Sequence, residues 1–360
     1  MKAPLFFHKK PLFGLDIGSQ TVKLIQIDAK GNKAQVKAYG FIDTDEKIMK
    51  DGVISDVRGA AKLIDQLLAE NVIGKLDTNR VAMSVPVSRV YTRVVTLPKM
   101  NNKELADAVQ LEVEQSVPVP SKNLYFDFET TDIGEPNSQL VRMVAIPKEI
   151  VDSYSTVCDL LGLDLALIQT NIRADAQLCM RYEDLESNNP YIILDVGGNA
   201  IDIGVIDTTL RITGTVDEGG NSLTAAIAKN LKISEPKAHT LKISQGLSAG
   251  KQQVKVKEAV SPILDKVVKE IERMLRFYQE RINKGAEISQ ILIVGGGASM
   301  PGLGDYLTNA TRIATRVSSP WGDYISFGKL EPPESADLPR YLTCAGSAMA
   351  DDKDILGFGR

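Results

Sequence analysis

Histidine and cysteine are scarce in this chain. Its 360 residues hold two histidines, His8 and His239, and three cysteines, Cys158, Cys179 and Cys344. So few histidines exclude a histidine-rich metal site. The cysteines are far apart and form no Cys-x-x-Cys pair, which excludes a disulfide framework or a zinc knuckle and suits a reducing compartment. No run of about 18 apolar residues occurs, so no transmembrane helix is predicted. The apolar start is cut by His8, Lys9 and Lys10 before a signal-peptide core forms. An excess of one charge is missing too: 42 Lys and Arg face 46 Asp and Glu, which gives no electrostatic case for nucleic acid. The rest is ordinary globular composition, 43% hydrophobic and 24% charged, in a chain long enough to expect two lobes with separate cores. It reads as cytoplasmic unless a partner carries it to a membrane.

What is present is an internal echo. Residues 13–28 read FGLDIGSQTVKLIQID and residues 192–207 read IILDVGGNAIDIGVID. Aligned without gaps they match at Leu15/Leu194, Asp16/Asp195, Gly18/Gly197, Ile27/Ile206 and Asp28/Asp207. Each copy predicts a β-hairpin with an Asp-x-Gly turn at its tip. A repeat at so long an offset implies two similar lobes and not a solenoid. Gly18, Gly197 and Gly198 allow close backbone approach, so successive N–H groups can face phosphate oxygens. Asp16 and Asp195 can hold the waters of a Mg²⁺ ion. Lys23 supplies a cation, and Ser19, Gln20 and Thr21 line the first turn. The alternative is two ordinary tight hairpins.

A third element joins them. Residues 291–307 read ILIVGGGASMPGLGDYL, a buried strand, then Gly295, Gly296, Gly297 and Ala298, then a helix whose first turn is expected to hold Pro301 and Gly302. A helix start offers free N–H groups to an anion. The spacing is neither G-x-G-x-x-G nor a Walker A motif, so a dinucleotide fold and a P-loop are disfavoured. Two Asp-x-Gly hairpins followed by strand, triple glycine and helix is the order of the actin, chaperone and sugar-kinase ATPases. The expected fold is therefore α/β, an actin-like (ribonuclease H-like) two-lobed ATPase fold, with ATP and Mg²⁺ as cofactors.

Within that superfamily the chain resembles the PilM family of type IV pilus assembly proteins and, more distantly, the FtsA division proteins. GLDIGSQTVKLIQI is similar to the opening of both. VAMSVPVSRVYTRVVTLP, KELADAVQLEVEQSVPVP and LYFDFETT resemble the PilM region between the hairpins. EGGNSLTAAIAKNLKISEPKAHTLK resembles a segment the two families share, which brings Gly219, Gly220, His239 and Lys242 to the nucleotide. The ending YLTCAGSAMADDKDILGFGR is unlike the linker and amphipathic helix that close FtsA-type proteins. The resemblance implies an FtsA/PilM-type inserted subdomain and four parts. Residues 1–87, 167–190 and 328–360 form a first large subdomain; 88–166 form the insert, of strand, helix, two strands and helix. Residues 191–221 and 290–327 form a second large subdomain, and 222–289 a small helical one. In the insert, Leu105, Val109, Val113 and Val117 mark the buried side of a helix over 102–117. In the small subdomain a stripe from Val256 to Ile282 marks a long helix bent near Pro262. The Thr343-to-Met349 helix resembles an interdomain hinge helix. The implied role is a scaffold recruited to the inner membrane by the short N-terminal cytoplasmic segment of a single-span PilN-like protein, with pilus motor ATPases as further candidates. Self-association, and with it an FtsA-like filament, stays open.

Two departures from the motifs bear on catalysis. The second turn is Gly197-Gly198-Asn199-Ala200, where active ATPases of the fold carry a third glycine and then threonine; the missing hydroxyl removes one phosphate or metal contact. Asp202 is the candidate to orient a water, or else a hairpin-edge residue. His239 stands where the related segment offers Glu, and imidazole has one neutral donor and one acceptor; it reads equally as a surface histidine. Weak or absent ATPase activity is expected.

Overall fold

The ungapped echo in the sequence returns as strand register. A computed structural model describes residues 11–30, 33–44, 48–50, 52–132, 137–182 and 189–350; the first ten residues and the ending after Ala350 lie outside this description. Strand Phe13–Ile17 pairs antiparallel with Thr21–Lys30, placing Asp16 opposite Lys23. Strand Tyr191–Val196 pairs antiparallel with Ile201–Ile206, placing Asp195 opposite Asp202. Lys23 and Asp202 are thus equivalent positions of the repeat. Each first strand also has a parallel neighbour, Arg80–Val85 in one sheet and Ile291–Val294 in the other. A seven-stranded and a five-stranded sheet result, both built outward from a hairpin of the same register. Such mixed sheets with helices packed on them make an α/β, actin-like fold.

The strand Tyr191–Val196 is buried along its whole length, as befits a central strand covered on both faces. Helix Asn171–Tyr182 leaves the first sheet after strand Asp164–Thr170 and leads toward the second. It packs against the C-terminal helix Leu342–Ala348, whose seven residues are all buried. Close approach depends on small residues here. A Cβ on Gly346 would lie 2.0 Å from the Ala174 carbonyl oxygen, and one on Gly14 would lie 1.8 Å from that of Cys344. One apolar core runs through this junction, joining Ile25, Ile172, Ile193, Leu292 and Ala345.

The insert carries its own small core. Strands Tyr91–Pro98, Leu124–Asp132 and Ser138–Pro147 form a three-stranded sheet with Ser138–Pro147 in the middle. Helix Asn102–Ser116 covers one face through Leu105, Val109 and Val113, and begins at a capping box between Asn101 and Glu104. The following helix, Lys148–Leu161, instead gives Ile150, Tyr154 and Val157 to the core of the first lobe. Strand Asp164–Thr170 pairs with Arg80–Val85, and Ile325–Ser326 pairs with Lys33–Asp43. The first sheet therefore takes up the chain a few residues earlier than the expected divisions at 166 and 327, because strand pairing sets its edge.

The long helix of the small helical part spans Gln253–Phe277 with Pro262 inside it, and the buried stripe runs from Val256 through Met274 to Tyr278. Its expected last member, Ile282, is 41% exposed, because the chain changes to a π-helical turn over Tyr278–Ile282 and the 3.6-residue period lapses. The Tyr278 hydroxyl donates to Asp207 at 2.9 Å, and Arg211 pairs with the same carboxylate at 2.5 Å. The Asp28/Asp207 match thus serves structure on its second side.

Candidate functional site

The tips of the two hairpins meet. The Gly18 N–H donates to the Thr21 carbonyl and the Gly197 N–H to that of Ala200, each at 3.0 Å, so the turns close alike. A Cβ on Gly198 would fall 2.7 Å from the Ser19 hydroxyl oxygen, so the two turns approach to within side-chain contact. The Gln20 side-chain amide donates to Asn221 Oδ1, and Asn221 Nδ2 donates to Asn199 Oδ1 at 2.8 Å. Lys23 Nζ sits 2.6 Å from Asp16 Oδ2, and the Ser84 hydroxyl donates to Asp16 Oδ1 at 2.7 Å. Burial works against the charged lysine, but the Asp16 carboxylate outweighs it and raises the Lys23 pKa.

The second hairpin holds an acidic pair. Asn171 Nδ2 donates to Asp195 Oδ2 and to Asp202 Oδ2, both at 2.8 Å, and the Thr215 hydroxyl donates to Asp202 Oδ1 at 2.6 Å. Both carboxylates are buried. Burial, then the Asp202 charge, pushes the Asp195 pKa up to about 7; burial likewise raises that of Asp202. Asp175, one turn along the helix from Asn171, is fully buried, with the Thr343 side chain beside its carboxylate. Burial and then the Asp195 field hold its pKa well above the carboxylate range. Asn171, Thr215, Ser84 and Asp175 escaped the sequence reading. The signal available was Asn171 and Asp175 at i,i+4, two polar groups on one face of the helix, with Asp175 set among the buried Ala174, Ala176, Leu178 and Cys179.

The Asp195 shift has a measurable consequence. A carboxyl with a raised folded pKa binds more protons folded than unfolded, so it costs stability as pH rises from its unfolded value near 4 to about 7. Asp195→Asn should remove that slope, on the order of 1 kcal/mol per pH unit. Urea midpoints of the ligand-free protein at pH 5 and pH 8 should therefore diverge less in the variant. An equal difference in both would contradict an ionisable, desolvated Asp195.

The glycine segments border the same place. Gly219 and Gly220 are buried beneath the second turn, where the Gly220 N–H donates to Gly197 O at 2.9 Å and the Asn221 N–H to Gly198 O at 2.8 Å. These amides brace the turn, whatever else the segment contacts. Lys242 is buried, and Nζ donates to Gly220 O at 2.7 Å and Thr224 Oγ1 at 2.9 Å; desolvation lowers its pKa to about 8. His239 is exposed, with its pKa lowered by partial burial and then by Lys242 and Arg340. Gly295 has φ 83°, and a Cβ there would lie 2.2 Å from Asp195 Oδ1. Nothing lies within 4 Å of a Cβ on Gly296, whereas one on Gly297 would strike Val196. A short 3-10 turn, Gly296–Ser299, holds Ala298 and follows directly. The helix starts only at Leu303, because Gly302 is left-handed, so Pro301 and Gly302 precede its first turn. Among the described residues no three His, Cys, Asp or Glu side chains converge as a metal-holding group, and no helix is long and apolar enough to cross a membrane.

A family model described as type IV pilus assembly protein PilM matches residues 14–351. The cell division protein FtsA of Streptococcus pneumoniae is 23% identical over 342 residues, covering 81% of this chain and 71% of that protein. Among solved structures, a PilM-PilN type IV pilus biogenesis complex aligns with TM-score 0.80 and 22% identity, over 95% of this chain and 98% of that one. MreB5 of Spiroplasma citri bound to AMPPNP aligns with TM-score 0.57 and 14% identity, over 98% of each chain.

Proposed function

The chain belongs to the type IV pilus assembly protein PilM family, and from that premise we propose an ATP-binding scaffold of an inner-membrane pilus or secretion assembly. The observation that carries the nucleotide part is the meeting of two hairpin turns of equal register with Asp16 and Asp195 at their bases. ATP would lie against the turns at Gly18–Thr21 and Gly197–Asn199, and beside Gly295–Gly297, where Asp195 and Val196 exclude a side chain at Gly295 and at Gly297. Magnesium would be held through Asp16 and Asp195 with its waters; bound, it would neutralise phosphate charge. Asp195, whose carboxyl is costly to ionise in isolation, gains a counter-ion in that state. Asp202 is already held through both oxygens by Asn171 and Thr215. That suits a fixed acceptor better than a mobile base, in keeping with weak hydrolysis.

The partner part rests on the insert. Val94 lies opposite Arg142, on the sheet face away from Val95 and Leu97, which pack toward helix Asn102–Ser116. That outward face looks to the first lobe, since Glu129 on it pairs with Arg173 of helix Asn171–Tyr182. Strand Tyr91–Pro98, which carries Val94, is an edge of that sheet, and a free edge suits an extended peptide, with main-chain bonds for affinity and pockets for alternate side chains. We assign it to the N-terminal cytoplasmic segment of a single-span PilN-like protein, which would hold this chain at the cytoplasmic side of the inner membrane. Titration of a labelled synthetic copy of that segment from the same organism should show saturable binding, weakened at least about tenfold by Val94→Arg. Undiminished binding to the variant would move the site elsewhere, and no binding to the wild type would sink recruitment by this route.

A further inference from the structure

The first turn of helix Asn171–Tyr182 touches both proposed sites at once. Asn171 donates from Nδ2 to Asp195 and Asp202 in the second lobe. Its Oδ1 accepts from the Val87 N–H at 3.0 Å, and Val87 opens the short 3-10 turn Val87–Arg89 from which the insert's first strand departs. Two residues on, Arg173 Nη2 lies 2.7 Å from Glu129 Oε1, on the insert's outward sheet face. Arg142, the cross-strand neighbour of Glu129, pairs with its other oxygen. Burial disfavours the Glu129 charge, yet Arg173 and then Arg142 keep its pKa below the ordinary value. Between these residues, Ile172 is pressed on the second sheet, where a Cβ on Gly204 would come within 2.6 Å of it.

We propose that this turn is the coupling element between nucleotide and partner, with Asn171 reading the acidic pair and Arg173 reading the insert through Glu129; the idea rests on the functional reading above. The turn has little room to yield. A change in lobe separation that shifts Asp195 and Asp202 must either break the Asn171 contacts or carry the turn with them. If the turn moves, it draws on the Val87 amide and the Glu129 carboxylate together. Charge-assisted contacts of the Arg–carboxylate kind transmit such displacement because they are strong and directional. A ligand that favours one lobe arrangement then alters the affinity at the insert, and the insert's ligand alters nucleotide affinity by the same factor. Arg173 and Glu129 act as positioning residues, without touching the nucleotide turns.

Hydrogen exchange on the full chain tests this, with Mg-ATP as probe. In wild type, saturating Mg-ATP should slow exchange along Leu124–Asp132 by about fivefold or more, the lower range of ordinary allosteric coupling. Arg173→Met and Glu129→Gln should abolish that slowing while Mg-ATP affinity stays within about threefold of wild type, and Arg173→Lys should retain most of it. Equal slowing in Arg173→Met and wild type would overturn the coupling. A wild type whose melting and exchange both ignore Mg-ATP would overturn the nucleotide reading itself. The ligand-free arm decides the coupling separately: Glu129→Gln should speed exchange in the Asp195–Asp202 turn, which it does not touch. Unchanged exchange there would overturn the proposal whatever the nucleotide does.

Discussion

Gly14→Ala is expected to lower stability by roughly 3 kcal/mol, the upper range for overpacking a filled core. The added Cβ would lie 1.8 Å from Cys344 O, 2.7 Å from Cys344 C and 3.0 Å from Ala348 N. All three atoms are backbone of helix Leu342–Ala348, so no rotamer change can relieve the clash. Withdrawal of that helix is opposed from its other side, where Gly346 sits against the Ala174 carbonyl. The natural control is Gly162→Ala, at φ 64° with nothing within 4 Å of its Cβ, which costs only backbone strain of about 1 kcal/mol. Urea midpoints compare the two without assuming a single transition in a multi-lobed chain. A Gly14→Ala midpoint no lower than that of Gly162→Ala would mean that the C-terminal helix does not lie across the first strand.

The parts of this architecture that were legible in the sequence are those governed by local pattern. Asp16 and Asp195 stand at matched points of an ungapped repeat, and matched sequence produced matched pairing, down to Asp16 opposite Lys23 and Asp195 opposite Asp202. The apolar spacing of Leu105, Val109 and Val113 marks one helix face, while Val117, expected as its last member, is the extended C-cap that follows Ser116. Period fails where backbone geometry changes: the π turn at Tyr278 turned Ile282 outward, and left-handed Gly302 delayed the helix after the triple glycine.

The site was half legible for a different reason. Turn glycines and the aspartates beside them announce themselves, since their residue types follow from backbone needs at one point in the chain. Asn171, Ser84 and Thr215 do not. Each is a common polar residue whose importance comes from what a distant segment places beside it: Asn171 meets Asp195 and Asp202, and Ser84 meets Asp16 across a parallel strand pair. The same blindness works in reverse for Gly219 and Gly220, whose setting beside the nucleotide segment hid their bracing of the second turn. Lys242 likewise spans to Gly220 O and Thr224, contacts set by the packing of two helices.

The second large effect concerns nucleotide itself. A ligand that binds only the folded chain at a thousandfold excess over its dissociation constant stabilises it by roughly 4 kcal/mol. Asp16 fixes Lys23 and accepts from Ser84 at the base of the first turn, so Asp16→Ala removes a magnesium-side acceptor and releases the turn's cation together. A thermal scan of wild type and Asp16→Ala, each with and without saturating Mg-ATP, and with folding checked by circular dichroism, is the most direct test of the account. A clear upward shift in wild type that vanishes in the folded variant is the predicted result. No shift in wild type, or an undiminished shift in Asp16→Ala, would contradict a nucleotide site between the two hairpins.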